Sequence, residues 1–82
     1  MEKIVDENLN TLKYGVHISK GSEGKEIWII RKIIQQDHKA EIARDIFITG
    51  YTGTSQKTVS IEDLIDEDWF LLDEKDIGEL KH

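Results

Sequence analysis

The cations Lys20, Arg31, Lys32 and Arg44 fall on or beside segments that read as strands. Strands hold side chains with less freedom than loops do, so two or three of these that converge would make a fixed anion site. Arg31 is the sharpest of them. It lies in the run Ile27-Trp28-Ile29-Ile30-Arg31-Lys32-Ile33-Ile34, and an unpaired charge among isoleucines is costly. It therefore calls for an anionic partner, either a ligand or an acid of the same chain. A second candidate is the hydroxyl-rich stretch Gly50-Tyr51-Thr52-Gly53-Thr54-Ser55-Gln56-Lys57-Thr58. Its glycines let backbone N–H groups approach a phosphate, Thr52, Thr54 and Ser55 offer hydroxyls, and Tyr51 offers a ring for a nucleobase. The stretch lacks the spacing G-x-x-x-x-G-K-[ST], so it does not signal nucleotide hydrolysis, and a plain hairpin loop accounts for the same composition. Trp28 suits an interface, a core or a stacked base.

Signals for catalysis are absent. There is no cysteine, and Ser19, Ser22, Ser55 and Ser60 have no nucleophile-elbow residues around them. His17, His38 and His82 are scattered, which offers neither a base with a companion nor metal-ligand spacing. The acids Glu62, Asp63, Asp66, Glu67 and Asp68 lack the alternating oxygens and glycine of an EF-hand loop, and helix capping explains them more simply. The chemistry expected is binding without turnover, with no cofactor and no metal.

Those residues must be positioned by a small scaffold. With 82 residues the chain is a single domain, expected over 1–73 with a charged tail at 74–82. A chain of this size buries a modest fraction of its surface, and it has no disulfide to help. Association with further copies is the remaining way to gain buried area, so a homo-oligomer is expected. Absence of cysteine, of an apolar leader and of a long apolar run fits a reducing, cytoplasmic setting without a membrane segment. The net charge is −6, with acids concentrated towards both ends and bases towards the middle. That total disfavours direct nucleic-acid binding. It leaves an ordinary solvated surface or a local pocket of bases for a small anion.

The patterning predicts an α+β fold with a small, strongly bent antiparallel sheet and one or two short helices. Residues 1–5 read as a loose start or edge strand. Asp6 is placed to cap a short helix to about Lys13, with Leu9 and Leu12 inward and Gly15 ending it. Val16 and Ile18 alternate with His17 and Ser19, as in a half-exposed strand, before a glycine turn over 21–24. Residues 26–36 form the longest strand, with apolar residues on both faces. Two such faces need covers on both sides, from the chain itself or from a partner subunit. Residues 35–39 read as a loop, and Ile42, Arg44, Ile46 and Ile48 alternate along a returning strand. Ser60 is an N-cap type, Asp63 is the acid of a capping-box pattern, and Ile61, Leu64 and Ile65 give one apolar face. The bulky run Trp69-Phe70-Leu71-Leu72 then reads as a buried strand.

The stretch Asp63-Leu64-Ile65-Asp66-Glu67-Asp68-Trp69 resembles the D-L-L-A-x-D-W close of a family of very small phage proteins, the Thoeris anti-defence protein two family and its relatives. Leu9, Leu12, Gly15, Val16 and Ile18 fit the outline of that family's opening. The sequence departs from it at Asp66, where the family has Ala, and at Lys20 and Ser22, which stand where Arg and Trp are expected. The resemblance implies a compact β-rich oligomer in an infected bacterial cell, one that sequesters a cyclic-nucleotide-type immune signal without cleaving it. On this sequence the contacts would come from Lys20, Trp28, Arg31, Arg44, Tyr51, Thr52 and Thr54. A different class of function is also open: an acidic inhibitor that mimics nucleic acid and covers a basic surface on a host protein.

Overall fold

In the computed structural model, which describes residues 1–44 and 55–80, short apolar runs become strands and glycines turn the chain between them. The strands are β1 (Glu2–Lys3), β2 (His17–Lys20), β3 (Glu26–Ile34), β4 (Lys39–Arg44), β5 (Gln56–Ser60) and β6 (Trp69–Leu72). They form one antiparallel sheet in the order β1-β6-β2-β3-β4-β5, in which β1 and β5 are the edges among the described strands and the sheet does not close. Among the described residues two α-helices, α1 (Ile61–Asp66) and α2 (Glu74–Leu80), and two 3-10 helices, Asp6–Thr11 and Gln35–Asp37, complete a small α+β fold. Between β2 and β3 the turn uses Gly21 at φ 84 and Gly24 at φ 69, a region that residues with a Cβ avoid.

The β5-α1-β6 crossover makes this topology. β5 is one edge of the sheet, and β6 inserts between β1 and β2 on the far side. The chain must therefore cross β4, β3 and β2, and α1 carries it over their apolar face. Ser60 starts the helix as its sequence predicts: its Oγ accepts from the Asp63 N–H at 3.1 Å. Lys3 closes the other end, its Nζ donating to the Ile65 carbonyl at 2.8 Å, where the helix dipole favours a cation. Ile61 and Leu64 are buried beneath, in one core with Ile4, Leu12, Ile18, Trp28, Ile30, Ala40, Ile42 and Trp69.

Several expectations are corrected. The opening helix is a 3-10 helix, and Asn8 caps it instead of Asp6: its Oδ1 accepts from the Val5 N–H at 2.9 Å. β2 is not half exposed, because Ile18 and Ser19 are both buried, Ser19 donating its hydroxyl to the Gly21 carbonyl at 2.9 Å. Gln56, Lys57 and Thr58 belong to β5 and not to a loop. The expected charged tail begins as α2, capped reciprocally by Asp73 and Asp76. The Asp76 N–H donates to Asp73 Oδ1 at 2.8 Å, and the Asp73 N–H donates to Asp76 Oδ2 at 3.1 Å. That backbone donor, more than the nearby amino group of Met1, holds the Asp76 carboxyl below the usual carboxylate range.

β3 holds the most consequential correction. Strict alternation would put Ile33 on the face of Ile27 and Ile29. The register instead slips between Ile30 and Lys32, so Ile30 pairs with Ile42 while Lys32 pairs with Glu41 and Ile33 with Ala40. Arg31 is the extra residue of this bulge, which bends the strand and returns Ile33 to the core face with Trp28 and Ile30. The reverse face is buried as well at Ile27, within a single chain. A partner subunit is therefore not needed to explain two apolar faces.

Candidate anion-binding site

Cross-strand pairing decides which cations meet. Residues directly opposite in an antiparallel pair share a face of the sheet. Lys20 lies opposite Trp69 on one side and Glu26 on the other, and Arg44 lies opposite Trp28. Lys57 lies opposite Ile42 on the edge strand β5, on the same face. β2, β4 and β5 thus deliver one cation each to the end of the core face that β3 and β6 floor with their tryptophans.

The two indoles meet edge to face, with centroids 6.5 Å apart and planes at 66°. Lys20 Nζ is 5.1 Å from the Trp69 ring centre, and Arg44 Cζ is 5.5 Å from that of Trp28. Lys57 Nζ lies over both rings, 4.7 Å from Trp28 and 5.6 Å from Trp69. Each distance is within the range in which a ring quadrupole attracts a cation, worth roughly 0.5–1 kcal/mol where solvent reaches the pair. The rings thus offset part of the repulsion between the cations.

Two carboxylates border the cluster. Glu26 Oε1 accepts from the Trp28 indole N–H at 2.9 Å, which fixes that ring. Glu67, just beyond α1, accepts from Lys20 Nζ at 2.7 Å, with both side chains partly open to water. The Lys20 hydrogen bond holds the Glu67 carboxyl below its usual range, and the charge of Lys57 adds to the effect. Among the described residues no carboxylate lies within salt-bridge distance of Lys57, which is exposed.

Of the residues expected to contact a ligand, Lys20, Trp28 and Arg44 come together here. Trp28 is 4% exposed and lies beneath Arg44 and Lys57, so its position suits holding cations and leaves no free ring face for a base. Arg31 stands elsewhere: it is exposed on the bulge, 5.7 Å over the ring of Tyr14, itself 68% exposed. The premise of a charge buried among isoleucines does not hold for it. Tyr51, Thr52 and Thr54 lie outside the described residues, as does the strand expected through Ile46 and Ile48. Sequence reasoning missed Lys57 as a site residue because the hydroxyl-rich composition around it reads as a loop. The signal was there: Lys57 and Val59 alternate with Thr58 and Ser60, directly before an N-cap.

His38 Nε2 is 3.3 Å from Glu62 Oε1 on the exposed surface. Among the described residues no group of His, Asp or Glu is placed to hold a metal ion, and no helix is long and apolar enough to cross a membrane. Comparisons with protein-family models, curated proteins and solved structures found no match to this chain.

Proposed function

We propose that this chain is a non-catalytic binder of a small anionic ligand of the nucleotide class, and that it acts by sequestering that ligand. One observation carries the reading: Lys20, Arg44 and Lys57, from separate strands, converge on one solvent-reached patch of a protein whose net charge is −6. A local concentration of cations on a chain of net negative charge favours this patch for an anion. Cations on strands recognise phosphate without loop ordering, which lowers the entropic cost of binding. A sponge for a cyclic-nucleotide immune signal, which the resemblance at 63–69 implies, fits this chemistry, with phosphates met by the cations. Homo-oligomerisation belongs to the same proposal, and β5, an edge among the described strands, is the feature that would support it. Isothermal titration against a panel of cyclic di- and trinucleotides tests the reading. Saturable heat with at least one of them is expected, and heat with none would remove it.

A second reading, an acidic protein-interaction inhibitor, is favoured by the exposure of Glu62, Asp63, Asp66 and Asp68 on α1 and the turn after it. Charge reversal at those positions separates the two. It abolishes inhibition by mimicry and leaves sequestration by Lys20, Arg44 and Lys57 in place.

A further inference from the structure

We infer that the carboxylate of Glu67 is a built-in occupant of the anion site, which an incoming anion must displace from Lys20. The inference rests on the reading above and names what regulates that site. Lys20 is the cation on β2, and its Nζ is already engaged at 2.7 Å by Glu67 Oε1. Glu67 comes from outside the sheet, as the C-cap residue of α1, and reaches back over the same end of the core face. Lys57 acts on this carboxylate as well, and the buried N–H of Trp69, which has no acceptor at full hydrogen-bond geometry among the described residues, pulls it in the same sense. Glu67 thus sits where a phosphate or carboxylate of a ligand would gain the most.

The arrangement also bears on ligand charge. Lys20 and Lys57 both act on the Glu67 carboxylate, so the site suits a compact oxyanion in its place, and the covered indoles leave recognition to charge instead of stacking. Displacement is feasible because the Lys20–Glu67 pair is partly exposed. Exposed ion pairs of that kind are weak enough for a ligand phosphate met by several donors to outcompete.

The test compares wild type with Glu67→Gln, Lys20→Ala and the double variant, titrated with inorganic phosphate and with cyclic di-GMP and read by calorimetry and tryptophan emission. Glu67→Gln keeps a side chain of the same shape and removes the competing charge. Both probes should bind it about 2- to 5-fold more tightly than wild type, the factor equivalent to releasing one exposed pair. In the double variant the gain should vanish, since Lys20 is the group released. Equal or weaker binding by Glu67→Gln, where wild type binds, overturns the inference and leaves the proposed function standing. A gain that persists without Lys20 also overturns it. No binding of either probe to any of the proteins also overturns the inference, while the proposed function is decided by the full panel of cyclic nucleotides. Circular dichroism of each variant guards against misfolding, and Glu67→Ala provides a second removal of the charge.

Discussion

The two ends of β3 carry the same kinds of residue and put them to different uses. At its start, Trp28 is buried and Arg44 lies over it, with Lys57 and Lys20 close by. At the bulge, Arg31 leans on Tyr14, and both are exposed. Both ends show a cation over an aromatic ring. What differs is the floor. Buried indoles are fixed by packing and by the Glu26 hydrogen bond, so the cations above them share one place. Tyr14 sits in a turn, fixed by neither, and Arg31 there is an ordinary surface cation. Position over a rigid floor, not residue type, separates a candidate site from a solvated side chain.

Substitutions can break that contrast, and the largest effect is expected in the floor itself. Trp69 is 1% exposed, so Trp69→Ala should cost ~3–5 kcal/mol in stability by urea denaturation and scatter the cations as well. Lys57→Ala should leave the fold intact and weaken anion binding about 10-fold or more, the loss of a charged hydrogen bond of roughly 1.5–3 kcal/mol in calorimetry. Ser60→Ala removes the cap that turns β5 into α1 and should lower the unfolding free energy by about 1 kcal/mol without altering which cations meet. Arg31→Ala should change stability by no more than about 0.5 kcal/mol and leave binding untouched. A large binding loss there would erase the distinction between the two ends.

The smallest effect concerns pH. Glu67 is held low chiefly by the Lys20 hydrogen bond, so it stays ionised to lower pH in the folded chain than in the unfolded one. The pair's contribution is therefore present above the unfolded carboxylate range and fades as pH falls through the lowered folded value. Denaturation midpoints of wild type and Glu67→Gln should thus converge on acidification, by a small amount because the pair is exposed.

The α+β class, the Ser60 cap, the helix built on Ile61 and Leu64, and the strand at Trp69 were legible in the sequence, because each rests on local spacing. The bulge was not. Nothing in Ile30-Arg31-Lys32 marks a one-residue slip, and that slip exposes Arg31 and returns Ile33 to the core. Half of the candidate site was legible for the same reason: Lys20, Trp28 and Arg44 were chosen as strand residues, but their meeting depends on β6 inserting beside β2. That insertion is set by the α1 crossover and places Trp69 beside Lys20, a long-range fact that no local period encodes.

The central claim is that Lys20, Arg44 and Lys57 form one anion site over Trp28 and Trp69. The most direct measurement is a titration of tryptophan emission with a cyclic dinucleotide, in wild type and in Arg44→Ala beside Arg31→Ala. The account predicts a saturable change in emission in wild type and in Arg31→Ala, strongly weakened in Arg44→Ala. No change in wild type, or equal weakening in both variants, would contradict it.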